Sequence, residues 1–201
     1  MFWFLILFQG GIIVTLVFVL IYFHRIREMR LKKEPIKISL MAATIASRNI
    51  DNILIKIRTE LKADNVSLFR FHNGGVYRNG YGMNHFTCVN ETYNQHKSKS
   101  MQDVVKGVLI DRYADTMSLL LHTDEYCCSD VEYCSDETFK RDARKFNHKS
   151  VYMFLIKQIS GEEEGFLSIN YINNSHLDKE QRAFVTAYHN EILNLLNNCK
   201  K

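Results

Sequence analysis

Proline is almost missing from this chain of 201 residues: Pro35 is the single one. Only one joint is therefore marked this way. The residue before proline is pushed out of helical geometry, and proline itself suits the first turn of a new helix. No disulfide framework is legible. The five cysteines, Cys88, Cys127, Cys128, Cys134 and Cys199, are odd in number and two are adjacent, which fits free thiols in a reducing compartment. No charge of one sign dominates, with 26 basic against 22 acidic residues. That balance argues against a dedicated nucleic-acid binder, which would carry a basic stripe. G-x-S-x-G, a P-loop and H-E-x-x-H are all missing, so no catalytic residue is assigned and the chain reads as non-enzymatic.

What is present begins with an uncharged run, Phe2 to Phe23. At about 1.5 Å per residue it spans ~33 Å as a helix, enough for a hydrocarbon core of ~30 Å. Trp3 and Tyr22 lie near its ends, where interfacial aromatics belong. A charged n-region and a small-residue cleavage site are lacking, so an uncleaved anchor over 1–24 is expected rather than a signal peptide. A basic linker over 25–37 follows. Its Arg25, Arg27, Arg30, Lys32 and Lys33 place that flank on the cytoplasmic side by the positive-inside rule and suit anionic lipid head groups. The expected location is the inner membrane, single-pass, with the C-terminal domain in the cytosol and the bilayer as a partner.

Beyond Pro35 the apolar spacing predicts a helix over about 36–62, its stripe drawn from Ile38, Met41, Ile45, Ile53, Leu54, Ile57 and Leu61. Any surplus apolar edge suits a second copy of the chain. "NVSLFRFHNGG" reads as a strand with Phe69 and Phe71 on one face and His72 on the other, ending in turn chemistry at Asn73-Gly74-Gly75. "NHFTCVN" is a second strand, with His85, Thr87 and Val89 opposite Phe86 and Cys88. Residues 91–100 look exposed, 101–115 look helical, and "MSLLL" over 117–121 looks like a buried strand. "HTDEYCCSDVEYCSDE" has no clear period. A helix over 136–146 is capped by Asp136. "SVYMFLIKQI" and "GFLSINYI" form a hairpin, and a last helix is capped by Asp178 with Gln181 three residues on. The class is α+β, an antiparallel sheet with packed helices behind a transmembrane helix.

That order, and above all the closing "NHKSVYMFLIKQISGEEEGFLSINYINNSHLDKEQRAFVTAYHNEILNLL", resembles a GAF-like domain over 38–198. In that family a residue like Ser150 precedes a strand, one like Gly165 opens the next, and one like Asp178 leads the closing helix. The resemblance implies a sensor or interaction module, a dimer in many cases, and a small-molecule pocket between the sheet and the loops on one face. By resemblance its mouth takes Phe71, His72, Asn73, Tyr81, His85 and Tyr126. No chromophore cysteine or nucleotide motif of the family can be placed, so no cofactor is carried over. The layout of one membrane helix plus a small domain is also similar to holin-type lysis proteins of tailed bacteriophages, in which the globular domain is periplasmic.

A metal or thiol role is the third reading. His72, His85 and Cys88 offer zinc donors, but Cys88 falls on the opposite face of a regular strand from His85. Cys127, Cys128 and Cys134 near His122 lack the C-x2–4-C pairs of structural sites, and their acidic neighbours raise thiol pKa. No metal site is assigned.

Overall fold

The computed structural model describes Tyr22, Arg25, residues 40–72 and residues 84–198. The anchor segment, apart from Tyr22, lies outside the described residues, as do Arg27, Arg30, Lys32 and Lys33 of the basic cluster. Tyr22 and Arg25 are helical and exposed. Among the described residues no helix is long and apolar enough to cross a membrane.

The domain opens with α1 (Leu40–Glu60), then β1 (Asn65–His72), β2 (His85–Tyr93) and the two-residue β3 (Val108–Leu109). A 3-10 turn leads into α2 (Ala114–Thr123), followed by β4 (Glu125–Cys128) and α3 (Glu137–Lys145). The hairpin β5 (Ser150–Lys157) and β6 (Glu163–Tyr171) precedes α4 (Lys179–Ala187) and α5 (His189–Asn198). The six strands form one sheet in the order β3-β2-β1-β6-β5-β4. Every neighbouring pair is antiparallel.

Both faces of the sheet are covered. Val151, Met153 and Leu155 of β5 point one way and Tyr152, Phe154 and Ile156 the other, and all six are buried. A strand covered on both faces reads as a continuous apolar run, which is why the hairpin stands out in the sequence. On one face Ile50, Ile53, Leu54 and Ile57 of α1 join Val185, Ile192, Leu193 and Leu196 of α4 and α5 over Val66, Leu68, Leu167 and Ile169. On the other, α2 and α3 cover Phe69, Phe71, Phe86 and Phe166 with Met117, Leu120, Phe139 and Ala143.

Local signals account for the well-read elements. The Asp136 carboxylate accepts from Phe139 N at 2.9 Å and caps α3. Asp178 and Gln181 make a reciprocal capping box on α4, at 2.8 and 3.0 Å. Several expectations need correction. Met41 and Ile45 face outward, 73% and 50% exposed, and Ala46 and Ile50 take the buried stripe instead. "MSLLL" belongs to α2. Met117 and Leu120 point inward and Leu119 outward, a three-residue period that a short apolar run conceals. The helix expected over 101–115 is instead a turn, β3 and a 3-10 segment, with Val104 exposed. Within 91–100, Glu91 is half-buried in β2 and Ser98 is buried. The closing helix is two helices, broken at Tyr188. The segment without a period holds β4 and a 3-10 turn at Val131–Tyr133.

Candidate ligand pocket

A bulge sets up the second face of the sheet. Leu68 pairs with Asn90 but Phe69 with Cys88, so Val89 has no partner across the ladder. Phe86 and Cys88 therefore stay with Phe69 and Phe71 on one face. Asn90 turns to the other, where its Nδ2 donates to Ser47 Oγ and Asp51 Oδ1, each at 2.9 Å. Glu91 returns to the first face.

There a cavity of about 50 Å³ lies between the sheet and helices α2 and α3. Its floor is aromatic. Phe69 and Phe166 stack at 4.7 Å and 10°, and Phe86 meets both edge-on at 5.8 and 5.5 Å. Tyr113, Met117, Phe139 and Phe146 close it from the helix side, and Met101, Val105, Val151 and Met153 fill the flanks.

Five polar residues reach this apolar space: Thr116, Asp142, His148, Ser168 and Asn170. The sheet pair is satisfied internally. Ser168 Oγ donates to Asn170 Oδ1 at 2.9 Å, and Asn170 Nδ2 donates to Asn65 Oδ1 at 3.0 Å. Asp142 accepts from Arg112 (2.7 Å), Lys145 (2.8 Å) and the Tyr113 hydroxyl (2.9 Å). Burial opposes its charge, yet the bonds from Lys145, Arg112 and Tyr113 prevail and hold its pKa down at about 2. Burial, reinforced by Asp142, pushes the Tyr113 phenol up to about 12.

His148 and Thr116 differ from these. They are 3% and 2% exposed, and neither His148 Nε2 nor Thr116 Oγ1 has a hydrogen-bond partner. The Tyr126 hydroxyl pairs with Cys134 Sγ at 2.9 Å, and Thr116 Oγ1 lies near it without a geometrically formed hydrogen bond. Burial drags the His148 pKa down to about 4, so the ring is neutral at pH 7. A buried polar group left unsatisfied costs about 1–3 kcal/mol. Two in one cavity are a conspicuous expense in a core this well packed.

One side of the cavity is a strap, residues 98–107, tied to β2 by the Glu91 carboxylate and by bonds from Gln102 Nε2 to Val89 O (2.8 Å), from Cys88 N to Val105 O (3.0 Å) and from Gly107 N to Thr87 Oγ1 (2.8 Å). Glu91 accepts from Ser100 Oγ at 2.8 Å, from Met101 N at 2.8 and 3.0 Å, and from Gln102 N at 3.1 Å. Asn65 Nδ2 donates to it from below at 2.6 Å. Met101 and Val105, which face the cavity, are carried on this strap.

The residues expected at a pocket mouth fall in several places. Phe71 lies on the cavity's face and packs on Phe166 at 5.7 Å, beside the cavity rather than around it. Tyr126 stands behind Phe139, edge-on at 5.6 Å. His72 and His85 stack together at 5.7 Å on the opposite face. There His72 Nε2 is 2.9 Å from Thr87 Oγ1, and His85 Nδ1 is 2.6 Å from Asn84 Oδ1. Asn73 and Tyr81 lie outside the described residues. The cavity's own polar groups, His148, Thr116 and Asp142, are absent from the expected set. Thr116 carries no signal of its own, because the apolar run beside it fits a strand as well as a helix. His148 stands just before β5, where only the tertiary fold reveals what it faces.

The thiols are quiet. Burial pushes Cys128 up to about 11 and raises Cys88 and Cys127 as well, so all three are protonated at pH 7. Among the described residues no group of His, Cys, Asp and Glu is arranged to hold a metal ion.

No family model matches this chain, and no curated protein does. Solved structures do resemble it. The phycoerythrobilin-bound GAF domain of a cyanobacterial phytochrome aligns over 78% of this chain and 88% of its own, with 13% identity and a TM-score of 0.62. The GAF domain region of a putative membrane protein from Geobacter sulfurreducens aligns over 79% and 97%, with 15% identity and a TM-score of 0.58. The type II free methionine-R-sulfoxide reductase of Thermoplasma acidophilum aligns over 77% and 94%, with 14% identity and a TM-score of 0.56. At such identities the likeness is one of architecture: this domain has a GAF-like fold.

Proposed function

We propose that this chain is a membrane-anchored, non-enzymatic sensor whose GAF-like domain binds a small molecule in the cavity between the sheet and helices α2 and α3. The observation that carries the reading is the pair of buried, unpartnered atoms His148 Nε2 and Thr116 Oγ1 in an otherwise aromatic cavity. A ligand that bonds to them satisfies two buried polar atoms that no protein group satisfies. The cavity is unsuited to a group such as the phycoerythrobilin bound by the phytochrome domain. It lacks the volume, and among the described residues no cysteine lines it. The anchor is supported by the Phe2–Phe23 run and the cytosolic orientation by the basic residues after it.

Three of the seven methionines, Met101, Met117 and Met153, face the cavity. Spectra of the chain labelled with ¹³C in its methionine methyls, recorded against a library of small compounds, test the reading directly. Binders shift these three resonances and leave the outward-facing Met41 unmoved. A library that moves none of the three overturns it.

A further inference from the structure

The class of that ligand can be read from what the cavity leaves unanswered, an inference that rests on the pocket reading above. Among the described residues ionic groups find no unpaired counter-charge there. Arg112 and Lys145 are both engaged by Asp142, at 2.7 and 2.8 Å, and Asp142 is neutralised by them in turn. A carboxylate or phosphate would enter a low-dielectric space without a partner, and so would an ammonium group. The ligand is therefore neutral.

Its shape follows from the walls. The stacked Phe69–Phe166 pair forms the floor, and Phe139 and Phe146 lie on the helix side. A flat ring offers faces and edges to such a set at the spacings aromatic pairs prefer. At about 50 Å³ the space is well below the ~150 Å³ that holds benzene in an engineered cavity. One ring is the upper limit, and its entry requires the methionine side chains that line the space to shift outward.

Its polarity follows from the two orphan atoms. A threonine hydroxyl both donates and accepts, and a neutral imidazole nitrogen does one or the other according to its tautomer. A ligand with one donor and one acceptor satisfies either tautomer. We propose that the cavity takes a neutral, single-ring heteroaromatic molecule of the lactam kind, one donor and one acceptor on its edge, turned toward His148 and Thr116.

The test uses the whole chain in lipid nanodiscs with ¹³C-methyl methionine and four probes of similar size: 2-pyridone, toluene, benzoate and benzamidinium. The expected result is saturable movement of Met101, Met117 and Met153 by 2-pyridone, at an affinity at least about ten-fold above that for either ion. Thr116→Val, which keeps the shape, and His148→Phe each weaken 2-pyridone about ten-fold, the worth of one buried hydrogen bond. Toluene binding in both variants stays within two-fold of wild type, which also shows that the cavity is intact. Tighter binding of benzoate or benzamidinium overturns the ligand class and leaves the pocket standing, as does 2-pyridone binding that neither variant weakens. If none of the four moves the cavity methionines, the pocket reading falls with it.

Discussion

Acid should weaken this domain between pH 7.5 and 5, through two histidines held neutral by burial. His148 and His189 both have unpartnered Nε2 atoms, and burial lowers the pKa of each from 6.5 to about 4. A base with a depressed folded pKa binds fewer protons folded than unfolded between those values. Its contribution is intact above pH 6.5 and is lost as pH falls toward 4. Between pH 7.5 and pH 5 each histidine costs about 2 kcal/mol by this linkage, or about 4 kcal/mol for both. Asp142, held at about 2, enters only below its ordinary value of 3.8 and leaves this window clean. Urea denaturation at half-unit steps from pH 7.5 to 5 measures the effect. His148→Gln removes one titrating group, so the gap between its stability and that of wild type should close by about 2 kcal/mol over the range. Parallel curves for the two proteins would refute the reasoning, because they would mean that His148 titrates alike in the folded and unfolded chain.

Other outcomes follow from other features. A Cβ on Gly165 would sit 2.0 Å from the Phe69 carbonyl oxygen, with more β1 backbone at 3.0 and 3.1 Å. Gly165→Ala should therefore cost about 1–3 kcal/mol or more by forcing β1 and β6 apart, measured by denaturation. Glu91→Gln turns an amide donor toward donors that now meet a carboxylate, and should speed hydrogen exchange at Met101, Gln102 and Val105 while β5 and β6 stay protected; unchanged exchange at the strap would count against the fastening role. Cys127 is exposed, so an impermeant maleimide should leave it unlabelled in intact bacterial cells and label it after lysis. Labelling before lysis would put the domain on the other side of the membrane and favour the holin-type arrangement.

The sequence is informative where local rules decide and silent where the tertiary fold does. β5 and β6 are legible because strands buried on both faces run apolar without interruption. Asp136 and Asp178 are legible because capping is a matter of three consecutive residues. The opposition of Phe71 and His72 needs only the two-residue period of a strand. α2 is misread because five apolar or small residues in a row fit either period. The residues that the resemblance implies at a pocket mouth and those that line the cavity differ, because the cavity gathers side chains from β1, β2, β5, β6, α2, α3 and the strap, which are far apart in the sequence. No local pattern announces that His148, one loop before β5, lines the same cavity as Thr116 of α2.

If the cavity binds as proposed, the two faces of the sheet divide stability from binding, and that division can be tested by enlarging one of them. On the helix face Leu54, Ile57, Val66, Leu68, Phe154, Leu167, Ile169, Val185 and Ile192 show no exposed surface at all. On the cavity face, among the described residues of that cluster, Leu120 alone does, and aromatic rings and methionines replace branched aliphatics. Methionine adapts its shape, so such a core tolerates a guest better than one of interlocked leucine and isoleucine. Leu167→Ala, on the tight face, should cost about 2–5 kcal/mol with no compensation from any small molecule. Met153→Ala, on the other, adds its lost volume to a cavity that already exists. It too should destabilise the empty chain, but a fused-ring lactam such as 2-quinolone should then bind and restore much of the lost stability by mass action. Wild type, with its smaller space, should bind 2-pyridone in preference to 2-quinolone, and Met153→Ala should reverse the order. If both variants lose stability alike and 2-quinolone restores neither, then the cavity face is merely a looser core, and the separation of roles between the two faces is wrong.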